Sequence, residues 1–248
     1  MADVIYPDWD APANVRALCT TRSGGVSHGA YASFNLGDHV ADDPLAVSEN
    51  RRRLHHYCPE LTEIQWLSQI HSPAVVVADG SRVPQADAAI TDRAGLACAV
   101  LTADCLPVLF ADRAGKQVAA AHAGWRGLLD GVLVNTVNAF DAPAAQLLAW
   151  LGPCIRQPRF EVGGEVRGAF IDRFSGPSVR QVESCFVPGD EADKYRCDLA
   201  GLAALQLQAL GLTAIADSGL CSYDDPRFYS YRRENPCGRF ASLIYRLP

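Results

Sequence analysis

The stretch "LTADCLPVLFADRAGKQVAAAHAGWRG", residues 101–127, decides how the chain is read. It holds two apolar runs, "PVLFA" (107–111) and "VAAAHA" (118–123), separated by "DRAGK". Apolar runs of this length around an Asp/Gly break read as buried strands joined by a turn. With the turn at residues 112–115, Cys105 and His122 are equidistant from its centre. A ladder in that register sets them directly opposite on one face, with Cβ atoms about 4.5–5.5 Å apart. A thiolate and an imidazole so placed suit a shared metal with bonds of about 2.3 and 2.0–2.1 Å. A slip of one residue in the register breaks the opposition. The same spacing also suits a packing cysteine beside a hydrogen-bonded histidine, or a thiol nucleophile with its base.

Working outward, further short apolar runs read as strands: "AVVVA" (74–78), "AAIT" (88–91), "LACAVL" (96–101), "LLAWLG" (147–152) and "SLIYRL" (242–247). "IQWLSQI" (64–70) precedes His71 and reads the same way. Helices are fewer. "DPLAVSENRRRLHHYC" is capped by Asp42 or Asp43. "GLLDGVLVNTVNAF" follows Gly127, and "DLAGLAALQLQALG" runs from a capping Asp198 to Gly211. Helices interrupting close-spaced strands predict an α+β fold of mixed sheets with helices packed outside. No repeat or linker divides the chain, so residues 1–248 are expected to form a single domain.

Composition narrows the function. Of 248 residues, 49% are hydrophobic and 20% charged, a globular balance able to fill a core. The net charge of -6 argues against broad nucleic-acid or acidic-membrane binding. The opening residues have no basic segment followed by an apolar one, and no apolar run is long enough to span a bilayer, so a soluble cytoplasmic protein is expected. Nine cysteines without a C-x-x-C pair argue against a disulfide framework or zinc ribbon, and most should be inert buried thiols. The sequence has no glycine-rich nucleotide fingerprint and no H-E-x-x-H.

A metal shared by Cys105 and His122 needs another ligand, and His71 in "WLSQIHS" is the best placed. Two His and one Cys leave one position of a tetrahedral zinc open, the catalytic pattern. His55 and His56 sit in an Arg-rich helix, while His28 and His39 lie in glycine-rich loops and suit substrate contact. Asp104 is an acid beside the thiol, suited to carry protons. Gly124 and Gly127 let backbone approach a ligand, and Gly127 is expected to precede a helix whose N-terminus favours anions. Arg22, Arg51 and Arg232 are candidates for a phosphate, and Asn35 for a ribose or base. Arg233, Glu161 and Glu165 are weaker candidates. Arg52 and Arg53 read as helix-face charges.

The chain resembles the laccase-domain (multicopper polyphenol oxidoreductase-like) family of purine nucleoside phosphorylases and peptidoglycan editing factors. The likeness runs through "TTRSGGVS" (20–27), "SFNLGDHVADD" (33–43), "NRRRL" (50–54), "QIHS" (69–72), "DAAIT" (87–91), "TADCLPV" (102–108), "AAAHAGWRG" (119–127), "LGPCI" (151–155), "FEVGGEV" (160–166) and "FYSYRRE" (228–234). The resemblance implies a mixed β-sandwich flanked by helices in α-β-β-α layers, related in shape to toxin Cys-His deamidases. It implies zinc at His71, Cys105 and His122, with Cys105, Asp104 and His122 catalytic. It further implies phosphorolysis of adenosine, inosine, guanosine or methylthioadenosine, and hydrolytic deamination of adenosine. The expected partners are a purine nucleoside and phosphate, without nucleic acid or membrane, acting on a monomer. The alternatives are a Cys-His amidase acting on a peptidoglycan precursor, a single-copper polyphenol oxidase, and a non-enzymatic zinc module. Six histidines and a lone Met1 argue against a multicopper centre, although one copper needs only a Gln or carbonyl as its axial ligand.

Overall fold

The structure, a computed structural model, describes residues 4–174 and 179–247. Two stacked sheets form its frame. The first has five strands in the order β1 (Val4–Ile5), β2 (Val15–Thr20), β14 (Phe240–Arg246), β6 (Leu96–Thr102) and β3 (Glu63–Gln65). The second has six: β13 (Ala214–Asp217), β9 (Leu147–Leu151), β7 (Leu106–Asp112), β8 (Val118–Ala123), β5 (Ala88–Thr91) and β4 (Val75–Val77). A small third sheet joins β10 (Glu161–Gly163), β12 (Lys194–Cys197) and β11 (Phe186–Pro188).

Every residue of β6, β7 and β8 is buried. Both faces of these strands are covered, which is why their sequences run apolar without alternation. Along β7, Val108 and Phe110 pack toward helices while Leu109 and Ala111 enter the layer between the sheets. There they meet Val15, Cys98, Val100 and Trp150. The helical layer on the six-stranded sheet contains α2 (Trp125–Asp130), α3 (Val132–Asn138), α4 (Gly164–Arg173), α5 (Val179–Ser184) and α6 (Leu199–Ala209). On the outer face of the five-stranded sheet, Leu18, Ala99 and Leu243 pack against Phe34, Leu36 and Leu54, the last residue of α1 (Pro44–Leu54). The expected α-β-β-α layering is therefore present.

Caps follow their sequence signals. Asp43 accepts a hydrogen bond from Leu45 N ahead of Pro44, and Asp198 accepts one from Gly201 N. One expectation fails at a glycine. The predicted helix after Gly127 is two helices, because Gly131 takes a left-handed φ of 100° and ends α2. Gly127 lies inside α2, since Gly124 caps that helix and Trp125 begins it.

Topology puts the candidate residues at one end of the sandwich. The chain crosses from the first sheet to the second twice, from β3 to β4 and from β6 to β7. Strands β3 and β6 are parallel, and β4 and β7 share one direction through β5 and β8. Both crossings therefore leave and enter at the same end. His71 lies on the first crossing and Asp104–Cys105 on the second, while β8, antiparallel to β7, delivers His122 to that end.

Candidate active site

His71, Cys105 and His122 converge, each offering a ligand atom within 4.8 Å of the other two. The imidazole centroids are 4.7 Å apart and nearly perpendicular. The register differs from the sequence expectation. His122 pairs with Pro107, and the β7–β8 loop extends to Lys116, with Asp112 Oδ1 accepting from Lys116 N at 2.6 Å. Against the predicted pairing this is a slip of two residues. Strands repeat every two residues, so the slip keeps Cys105 and His122 on the same side but makes them diagonal rather than opposite.

Asp87, at the start of "DAAIT", organises the cluster, and sequence reasoning gave it no role. It is fully buried. Its Oδ1 accepts from His122 Nδ1 at 2.8 Å and from His71 N at 2.9 Å. Its Oδ2 accepts from Ile70 N, Ser72 N and Ser72 Oγ at 3.2, 2.6 and 2.8 Å. Burial alone would raise its pKa, but the hydrogen bonds from His122 and Ser72 outweigh it and hold the carboxyl at about 2. An ionised carboxylate only accepts, so His122 carries its proton on Nδ1 and presents Nε2 to the cluster. Burial would also depress His122, but the neighbouring Cys105 and the Asp87 hydrogen bond outweigh it and push the imidazole up to about 9. His71 is shifted down, first by desolvation and then by the charge of His122.

Backbone strain concentrates here. His71 has φ 60° and Asp104 φ 97°, left-handed values that cost a non-glycine residue on the order of 1–3 kcal/mol when fixed. Asp87 holds the first through the 70–72 amides. Asp104 is held by its own partners: Oδ1 accepts from Ser222 Oγ and Oδ2 from Arg232 N, both at 2.7 Å. Gly124 closes the site. A Cβ there would lie 2.6 Å from His71 Nδ1 and 3.1 Å from Cys105 Sγ. Small size, rather than a special φ, is what this position needs.

The donor set fits a borderline-soft cation such as zinc. It combines one thiolate with two imidazoles, one of them oriented by a carboxylate as metal-bound histidines commonly are. Most other thiols are buried where Cys105 is not. Cys19, Cys58, Cys154 and Cys185 are buried, and burial pushes each up to about 12. Cys105 is half-buried at the wall of a cavity of about 520 Å³.

That cavity contains all three cluster residues, Asp104 and Arg232. It also contains His39, which the sequence suits to substrate contact, and residues that the sequence does not single out: Gln69, Trp125, Arg126, Phe160, Tyr231 and Arg239. Arg126 lies inside "HAGWRG" (122–127), beside the cluster histidine. Arg22, Asn35 and Arg51 do not line it. Arg22 Nη1 is 2.5 Å from Glu234, Arg51 lies 3.2 Å from Asp38 and stacks on Trp66, and Asn35 is buried. Asn35 acts at one remove: its Oδ1 accepts from Arg239 N at 2.8 Å. Glu161 does not line the cavity, but its carbonyl oxygen accepts from Arg232 at 3.2 Å.

The family described as multi-copper polyphenol oxidoreductase laccase matches residues 16–247. The chain belongs to this family. It is 52% identical to a purine nucleoside phosphorylase of Pseudomonas aeruginosa, with 97% of each chain aligned. It is 44% identical to the purine nucleoside phosphorylase YfiH of Escherichia coli, over 99% of each. Among solved structures, a Neisseria meningitidis protein superposes with a TM-score of 0.93 at 46% identity, covering 99% of both chains. YlmD from Geobacillus stearothermophilus gives 0.87 at 29% identity, covering 95% of this chain and 93% of its own. Within the described residues the laccase-like family member has one three-residue His/Cys cluster. His28 lines a different depression, and His55 and His56 follow α1. Among the described residues, no helix is long and apolar enough to cross a membrane.

Proposed function

We propose that the protein is a zinc-dependent purine nucleoside enzyme, catalysing phosphorolysis of adenosine, inosine, guanosine or methylthioadenosine and hydrolytic deamination of adenosine. The observation that carries the reading is the His71–Cys105–His122 cluster in the wall of a cavity of about 520 Å³, a volume within the range of small-molecule sites. The names of the relatives supply the substrate class. Bound zinc, held by those three residues, would supply Lewis-acid activation of water near neutral pH. The remaining work falls to the chain. Asp87 fixes the His122 tautomer and the His71 backbone. Trp125, Phe160 and Tyr231 offer apolar faces for a flat base. Asp104, aligned by Ser222 and the Arg232 amide, carries the proton that a leaving ammonia or purine needs.

A second reading has one specific observation behind it. The ligand atoms of Cys105 and His122 lie within 4.8 Å of each other, a pairing that a thiol nucleophile and its base would use. One assay separates the two. Adenosine should give inosine without phosphate, and adenine plus ribose-1-phosphate with it. Absence of product from every purine nucleoside, together with cleavage of an amide-linked muropeptide precursor, would favour the Cys-His amidase.

A further inference from the structure

We propose that Arg126 and Arg239, with Arg232, form an anion subsite in the cavity of the His71–Cys105–His122 cluster, and that it takes inorganic phosphate as co-substrate. The proposal rests on the nucleoside reading above and assigns residues to its phosphate-dependent half.

The three arginines differ from most others in what holds them. Arg22, Arg51, Arg156 and Arg159 each lie on a carboxylate within 3.2 Å. The cavity arginines are held by neutral groups. Arg126 lies over the Trp125 ring at 4.3 Å and has no carboxylate partner among the described residues. Arg239 spends Nη1 on the carbonyls of Cys237 and Gly238 at 2.9 Å, which leaves Nε and Nη2 without a protein acceptor among the described residues. Arg232 donates to the Glu161 carbonyl at 3.2 Å and lies 5.7 Å from the Phe160 ring. Carbonyls and rings orient a guanidinium without neutralising it.

The balance of charge points the same way. The protein carries a net charge of -6, yet this cavity gathers three arginines against one carboxylate, Asp104. Both oxygens of that carboxylate are already engaged by Ser222 and by the Arg232 amide. An arginine cluster beside an open cavity suits a doubly charged oxyanion, which accepts bidentate hydrogen bonds. A second observation is independent of charge. Thr102, 1% exposed, lines the same cavity, and its hydroxyl has no hydrogen-bond partner among the described residues. A buried hydroxyl of this kind normally has one.

Arg239 is also positioned. Asn35 Oδ1 accepts its amide, and a Cβ at Gly37 would lie 2.9 Å from Arg239 Cγ. The "SFNLG" stretch thus bears on the cavity through Arg239. The chemistry balances without another reactant. A phosphate oxygen bonds to ribose C1′ as the C1′–N9 pair leaves with the base, and the proton of the hydrogen phosphate ends on the purine.

Calorimetric titration of zinc-loaded protein with inorganic phosphate, beside phosphate-dependence kinetics, tests the assignment. Arg126→Gln and Arg239→Gln should each raise the phosphate Kd and the phosphate KM about tenfold or more, and the nucleoside KM by less. Arg196→Gln, which removes an exposed partner of Asp190, controls for general charge loss. Thermal melts establish that each variant is folded. Folded variants that bind phosphate like wild type overturn the subsite, as does wild type with neither phosphate binding nor saturable phosphate dependence. A parallel titration with adenosine 5′-monophosphate separates free phosphate from a nucleotide phosphate, and arginine-dependent binding of the nucleotide alone also overturns it. The two proposals fail separately. Phosphorolysis with unchanged phosphate KM in both variants removes the subsite and keeps the nucleoside reading. Arginine-dependent phosphate binding without turnover of any nucleoside does the reverse.

Discussion

At Asp87 one carboxylate serves both histidines of the cluster. It accepts hydrogen bonds from the His122 ring and from three consecutive amides around His71. An Asn of the same shape can accept through only one atom, and its NH₂ would face donors. Asp87→Asn should therefore loosen the His71 turn and the His122 tautomer together. Loss of such an outer partner typically weakens metal binding 10–100-fold. Competition with a chromophoric zinc chelator measures this directly, and an unchanged zinc affinity would show that Asp87 serves folding alone. Cys105, His122 and His71 were legible as residues because thiol and imidazole are few and their spacing is informative. Asp87 was not. One aspartate among many carries no signal until the fold brings the 70–72 amides onto it.

Elements were legible in proportion to their apolar length. The fully buried β5, β6, β7, β8 and β9 stand out in the sequence, and so do the capped helices α1 and α6. The three-stranded sheet does not, because segments such as Glu161–Gly163 are short and mixed in polarity. The β7–β8 register lies two residues from the one the sequence predicts because Asp112 Oδ1 stabilises a longer loop through the Lys116 and Gln117 amides. The site is kept because two is the period of a strand. At the sheet edge, β13 is tied down by Arg156, which meets Asp217 at 2.6 Å. Burial would raise the Asp217 pKa, but the Arg156 hydrogen bonds outweigh it, leaving the carboxyl below its ordinary 3.8. A depressed folded-state pKa stabilises fully above the unfolded value, and that contribution is lost as pH falls through the folded one. The melting-temperature gap between wild type and Asp217→Asn should stay constant from about pH 5 to 8 and close below 3.8. A gap that persists unchanged in acid would mean that the pair contributes by shape and not by charge.

Across the whole molecule, two sheet-to-sheet crossings and the end of β8 meet at one end of the sandwich. The cluster is thus assembled from segments more than fifty residues apart in sequence, between His71 and His122. A ligand bound there ties both sheets together and stabilises the native state by mass action, about 2.7 kcal/mol at one hundred times Kd. For a chain of this size each kcal/mol moves Tm by roughly 2–4 °C. Stripping metal with a chelator should therefore lower Tm by about 5–10 °C, abolish nucleoside turnover, and be reversed by zinc. Because a bound cation needs the Cys105 thiolate and an unprotonated nitrogen on each imidazole, that gain in Tm should shrink as the pH of the melt is lowered. Zinc should also shield Cys105 from iodoacetamide, since the thiolate is the atom attacked. Metal-free protein that turns over substrate at the full rate, is killed by alkylation, and melts where the zinc-loaded protein does would assign Cys105 and His122 to a thiol hydrolase.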